Sequence, residues 1–177
     1  MKLPLKMFHN GNAPLANGLK RDNILSMSDN EFENNHGFIQ WAFPTNVKSQ
    51  SLSSAPVLDT ASATALSSRQ DVVEFLEEMA VRFLEFLGRN DQWLAPYDHN
   101  HARISRAITS LRLLHSWELA SWFYQEVIRL AGSKFDGMHK SNNYWSSYAS
   151  PLSDQIAGCF VGLAIGDALG APVEFCR

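Results

Sequence analysis

Cysteine is almost absent from this chain: two of its 177 residues, Cys159 and Cys176, both near the C-terminus. They lack zinc-type spacing and make no disulfide framework, so redox chemistry is not indicated. Long hydrophobic runs are missing as well. The apolar run from Ile156 is broken by Asp167, and Pro172 and Glu174 follow, short of the about 20 apolar residues that a membrane span needs. The opening stretch, Met1 to Phe8, carries positive charge but no apolar core of signal-peptide length. A soluble, cytoplasmic protein with no membrane span is expected. Nor is there an excess of basic residues. The net charge of -3 argues against general nucleic-acid binding, which needs a basic face to neutralise phosphate. No alternating strand pattern and no internal repeat is present, which leaves an all-α fold.

What the chain does contain is enough apolar residue, 45% of the total, for one well-buried domain with some remainder. Ser28 and Glu31 make a capping box that opens a helix ending at Pro44, with Phe32, His36, Ile39 and Phe43 on its apolar face. The Ser, Ala and Thr-rich stretch 49–68 reads as a surface connection pinned by Val57, Leu58 and Leu66. The longest helix is expected over Arg69 to Leu87, capped by Ser68 and Asp71 and stopped by Gly88. Two more follow, about His99 to His115 and Trp117 to Ala131, the latter capped by Ser116 and stopped by Gly132. Their short join favours antiparallel neighbours. The aromatic patch Tyr144, Trp145 and Tyr148 is expected to fold back onto the bundle. The fold class expected is thus all-α, a compact helical bundle of about four to six helices plus a C-terminal helix.

That last helix, capped by Ser153, carries Gly158, Gly162, Gly166 and Gly170 at every fourth position. Residues i and i+4 share a helical face, so the glycines form a bare stripe suited to close packing against another helix. Glycine costs a helix interior up to about 1 kcal/mol relative to alanine, so packing rather than propensity explains four in register.

Two resemblances stand on longer patterns. The segment Glu33-Asn-Asn-His-Gly-Phe-Ile-Gln-Trp-Ala-Phe-Pro44, then Val81-Arg-Phe-Leu-Glu-Phe-Leu-Gly88, then His99-Asn-His-Ala-Arg-Ile-Ser-Arg-Ala-Ile-Thr-Ser-Leu-Arg-Leu-Leu114 resembles the conserved region of the opioid growth factor receptor family. It covers about Phe8 to Ala149. Ala42, Asp98, Ala102 and Ser105 depart from the family pattern. The resemblance implies a helical binding or regulatory domain with a peptide or protein ligand, without assigning contact residues. The stretch Ala157-Gly-Cys-Phe-Val-Gly-Leu-Ala-Ile-Gly-Asp-Ala-Leu-Gly-Ala-Pro-Val-Glu174 is similar to the N-terminal helix of ADP-ribosylglycohydrolases, all-α enzymes with a two-magnesium site. It implies that Glu174 is that family's glutamate near ADP-ribose and that Asp167 sits in its motif. The family's paired-aspartate metal motifs are missing, and no two aspartates adjoin anywhere in the chain. The division expected is 1–150, helical domain, and 151–177, the truncated start of a hydrolase.

Two magnesium ions need several carboxylates to hold water and leaving group together, which Asp167 and Glu174 alone do not supply. No complete catalytic set, no metal site and no cofactor is therefore expected in this chain, with magnesium entering only alongside a complete hydrolase domain, for example from a downstream chain. An orphaned first helix and a stub reused for packing are the other readings of this tail. In the helical domain, His36, Trp41, Trp93, Tyr97, His99, Asn100, His101, Arg103 and Arg106 are the candidate binding residues. His99 and His101 are two apart, off a common helical face, and read as caps or acid partners as readily as ligands. Arg103 and Arg106 share a helical side that is either a solvated face or a seat for a phosphate or acidic peptide. Exposed Trp41, Trp93 or Tyr97 beside them would favour a recognition groove.

Overall fold

The computed structural model describes Leu5, Phe8, His9 and residues 19–134 and 139–150. Eight α-helices lie within these residues: α1 Arg21–Leu25, α2 Asp29–Asn34, α3 Ile39–Ala42, α4 Thr60–Ser67, α5 Gln70–Arg89, α6 His99–Leu114, α7 Trp117–Ala131 and α8 His139–Ala149, with a 3-10 turn at Gln92–Leu94. Among the described residues there is one isolated parallel bridge, Thr45 to Val57, and no strand. The all-α class holds. The glycine-striped helix expected over 153–177 lies outside the described residues.

The capping box at the start of α2 forms as the sequence indicates: Ser28 Oγ accepts from the Glu31 amide, and Glu31 accepts from the Ser28 amide at 2.9 Å. The helix expected to continue to Pro44 does not. It breaks after Asn34, where Asn35 turns extended and its side chain accepts from the Gly37 amide at 3.1 Å. Asn-Asn-His-Gly is a run of poor helix formers, and a local side-chain acceptor offers the backbone an alternative to the helix. A second correction concerns 60–67, part of the expected surface connection. Asp59 caps it through the Ser62 amide at 2.7 Å, and Ser62 and Leu66 are its buried face.

The long helix α5 buries Val72, Phe75, Leu76, Met79, Phe83, Phe86 and Leu87, the stripe that its periodicity predicts. Its ends differ from expectation. Ser68 donates to Thr64 O and closes α4, Asp71 binds Arg69 instead of capping, and Gly88 lies within the helix. Gly88 faces α7: a Cβ there would sit 3.4 Å from Leu130 Cδ2. In the join before α7, His115 Nε2 meets Glu77 Oε1 of α5 at 2.9 Å.

Helix α6 is the hub, packing against α5, α7, α8, α4 and the 3-10 turn. Ser116 caps α7 through the Leu119 amide at 3.2 Å, and Gly132 ends it with φ at 53°, a conformation that side-chain-bearing residues avoid. The expected fold-back of the aromatic patch is α8, which buries Trp145 completely. The core between α2, α5 and α7 is a chain of phenylalanines. Phe32 lies 4.8 Å from Phe38 and 4.8 Å from Phe86, and Phe83 lies 5.8 Å from Phe123, centroid to centroid. Such offset and edge contacts add to the gain from burial, about 1.5–3 kcal/mol gross for each buried large side chain.

Candidate functional site

The broken helix has a chemical consequence. When α2 stops, its last carbonyls lose their partners within the helix, and Arg103 from α6 takes them. Nη1 donates to Phe32 O at 3.0 Å and to Asn100 Oδ1 at 3.2 Å, while Nη2 donates to Glu33 O at 3.0 Å, Asn35 O at 3.2 Å and His36 Nδ1 at 2.8 Å. Arg103 is 5% exposed. Burial lowers its pKa, against the opposing pull of Glu33 and Asp98. At the other end of α2, Arg82 donates to Met27 O at 2.7 Å and to Asp29 at 2.9 Å. Two arginines thus clamp this short helix at both ends.

Because Arg103 can only donate, His36 Nδ1 must be the acceptor and the ring neutral. Partial desolvation of the ring and then the Arg103 charge hold its pKa below the ordinary histidine value. The His99 ring stands edge-on to His36 at 5.2 Å, with Nε2 3.3 Å from Glu33 Oε1. His36 and His99 are both exposed, and they form one end of a cleft of about 680 Å³. Its walls are the chain from Thr45 to Ser51 on one side and α6, through Ala102, Arg103, Arg106 and Thr109, on the other, with Tyr144 of α8 beyond. Gln40 lies 4% exposed under Ser51, its Nε2 donating to Ser51 Oγ at 3.3 Å.

The cleft carries three permanent cations, Lys48, Arg103 and Arg106, and among the described residues no aspartate or glutamate lines it. In a chain of net charge -3 that is a local reversal of sign. Arg106 is half-buried and donates to Phe43 O at 3.0 Å, and burial lowers its pKa. Tyr144 hydroxyl meets Thr109 Oγ1 at 3.1 Å, and burial raises its pKa. The solvated-face reading of the two arginines is therefore replaced: one is internal and the other lines a cleft.

Of the other candidates, most are structural. Trp93 is 1% exposed and donates its indole N–H to Leu87 O at 3.0 Å; burial bars it from a groove. His101 is buried, with Nε2 2.7 Å from Trp93 O and Nδ1 3.1 Å from Ser141 Oγ. A carbonyl only accepts, so Nε2 carries the proton and Ser141 donates to Nδ1. This pair lies outside the cleft and braces the 3-10 turn, α6 and α8. Asn100 is 1% exposed and binds Glu33 and Arg103. Trp41 packs edge-on against Phe8 at 5.9 Å. Tyr97 is 83% exposed and does not line the cleft. Gln40, Lys48 and Tyr144 were not marked by the sequence; a glutamine inside the apolar run Phe38 to Phe43 is the one available signal. Among the described residues no group of three or more His, Cys, Asp or Glu side chains gathers to hold a metal, and no helix is long and apolar enough to cross a membrane. Asp167 and Glu174 lie outside the described residues.

A family model for ADP-ribosylglycohydrolase matches residues 149–177. No curated protein and no solved structure matches the chain. The comparisons lend no support to the opioid growth factor receptor resemblance of residues 8–149. Similarity to the hydrolase family is thus confined to the segment that begins in the last turn of α8.

Proposed function

We propose that residues 1–150 act as a non-catalytic binding or regulatory module of the opioid growth factor receptor type, working in the cytoplasm, and that a peptide or protein ligand occupies the cleft between α6 and the chain 45–51. The observation that carries this is the make-up of the cleft. Among the described residues it offers cations, hydroxyls and one aromatic wall, but no carboxylate to fix a metal, and neither His36 nor His99 has a hydroxyl nucleophile there as hydrogen-bond partner. Concave, pre-formed sites with a few converging polar groups are where ligands bind. The test is selection of a displayed random-peptide library on the 177-residue chain, counter-screened on a variant with Lys48→Glu and Arg106→Glu. Peptides retained by the first and lost on the second are expected; binders indifferent to the substitutions, or none at all, would end this reading.

The match over 149–177 favours a second reading, a fragment of an ADP-ribosylglycohydrolase in which Glu174 lies near the ADP-ribose and Asp167 sits in its motif, with the magnesium ligands supplied from elsewhere. Its measurement is release of ADP-ribose from a modified protein with and without magnesium. Magnesium-dependent turnover by the chain, lost in Glu174→Gln, would establish the enzyme and displace the module.

A further inference from the structure

The charges of the cleft are not arranged alike. Arg21, Arg69, Arg82, Arg89, Arg103 and Arg129 each lie within 4.0 Å of a carboxylate. Arg106 does not: its one protein acceptor among the described residues is the neutral Phe43 carbonyl. A guanidinium has five N–H donors in a rigid fork that matches an oxyanion. Taking such a group half out of water without a counter-charge is costly. The chain tolerates that cost in a cleft whose lining, among the described residues, holds no acid.

A second unmatched group lines the same cleft. Gln40 is 4% exposed, and its Oε1 is buried with no hydrogen-bond partner among the described residues. Set the other way round, the amide oxygen accepts from Ser51 Oγ and the buried end without a partner is the NH2, a donor. Buried polar atoms without partners are uncommon enough to require an explanation. Ser51, which covers Gln40, belongs to the same exposed chain as Lys48.

We propose that this cleft is an oxyanion site, with Arg106 as the bidentate anchor, Lys48 as the charge at its mouth and the Gln40 amide, set so that its oxygen accepts from Ser51 and its NH2 is the free end, as the neutral donor, and that it selects acidic segments of the peptide ligand. The proposal rests on the reading of the cleft as a ligand site. It adds what that reading leaves open, the chemistry of the ligand. An ionised carboxylate or a phosphoryl group on a peptide presents the same acceptors to the fork. The two differ in charge, and the measurement separates them.

The experiment is an NMR titration of the whole chain with inorganic phosphate and, separately, with glutarate, following the Arg106 Nε–Hε and Gln40 side-chain amide signals. Saturable shifts of both signals are expected, with dissociation constants on the order of 1–10 mM for such small probes, lost in Arg106→Met and weakened roughly two- to fivefold in Lys48→Met. A preference for phosphate points to phosphorylated segments and a preference for glutarate to acidic side chains. If neither signal moves with either probe while the wild-type spectrum stays that of a folded protein, the oxyanion site is refuted. That result needs no variant, so misfolding cannot imitate it. The outcome also separates from that of the library selection. Cleft-dependent peptides without acidic residues would refute this proposal and leave the module standing, whereas phosphate binding at Arg106 with no peptide selected would keep the oxyanion site and refute both the module and the selection of peptide segments.

Discussion

Replacing Arg103 by methionine should cost this protein more than any other arginine substitution on α6. The change keeps an unbranched apolar stem and removes the guanidinium with its five hydrogen bonds, to Phe32 O, Glu33 O, Asn35 O, His36 Nδ1 and Asn100 Oδ1. A hydrogen bond to a charged donor contributes about 1.5–3 kcal/mol net, so a simple sum would reach about 7–15 kcal/mol, the whole stability of a typical domain. The bonds share one guanidinium and are not independent. Glu33 and Asn35 are half-exposed and His36 is exposed, so water can replace part of what is lost there. Phe32 O lies under a side chain with no exposed surface and has no such recourse. The Glu33 carboxylate, 3.9 Å from Nη1, also loses its countercharge. An expected cost of about 3–5 kcal/mol follows, the range for removing one member of a buried charged network.

Urea unfolding followed by tryptophan fluorescence is the assay, since Trp93 and Trp145 are 1% and 0% exposed and report loss of the core. With a slope of about 2 kcal/mol per molar, the midpoint should fall by roughly 1.5–2.5 M at unchanged slope. Arg103→Lys should fall between, because a lysine keeps the charge but has three donors and no planar fork. Arg106→Met, one turn along, should stay within about 1 kcal/mol of wild type, since it gives up one bond and relieves an unpaired half-buried charge. If Arg103→Met and Arg106→Met cost the same, or the former costs under about 1 kcal/mol, the assignment of α2's freed carbonyls to Arg103 is wrong.

Acid should destabilise the protein through His9, which is fully buried and whose pKa is lowered to about 3, by burial first and then by Arg21 and Arg69. A histidine held neutral in the fold but titrating normally when unfolded leaves stability intact above 6.5 and removes it as pH falls towards 3, by at most about 1.4 kcal/mol per pH unit. Thermal melts from pH 7 to pH 4 should therefore show a shallower decline for His9→Leu than for wild type; parallel declines would exclude His9 as the source. The two glycines that bracket the α5–α7 pair should respond in opposite directions to alanine. Gly88→Ala should stabilise by about 0.4–1 kcal/mol, because the position is helical and the new Cβ meets Leu130 at ordinary contact distance. Gly132→Ala should destabilise by about 1–3 kcal/mol, because φ there is positive although space is open.

Much of the helical framework can be read from the sequence where both ends of an element are punctuated. Helix α7 has a serine cap, a 3.6-residue apolar period and a glycine that the backbone uses at positive φ. Helix α5 is legible by its stripe, yet Gly88 misleads as a stop, since a glycine inside a helix and a glycine ending one look alike in sequence. Helix α4 is nearly invisible because Ser62 and Leu66 are its only buried residues. The break between α2 and α3 is masked by an apolar period that runs unbroken through it. The site is harder to read for a related reason. Arg103 finds acceptors on Phe32, Glu33 and Asn35, which are backbone carbonyls, and any residue type can present those. Lys48, Gln40 and Tyr144 come from three separate segments with no shared period. Of the residues the sequence marks, His36, His99, Arg103 and Arg106 line the cleft, while Trp93, Asn100 and His101 were marked for the same polar or aromatic character that fits them to the interior.

Helix α6 therefore carries three arginines with three different partners, and their order along the helix ties the regions of the chain together. Arg103 holds the end of α2, and Arg106 lies over the cleft. Arg112, two turns further on, donates to the carbonyls of Tyr148 and, at 2.9 Å, of Ser150. Ala149 is 3% exposed and belongs to the core. The similarity to the hydrolase family starts at that same residue, so its first positions are built into the helical unit. Domain boundaries ordinarily fall in exposed segments with few contacts across them, and residues 149–150 do not fit that description. The cleft and the start of the matched segment are thus held by one rigid helix, which is the kind of support a binding site requires if its polar groups are to keep their geometry.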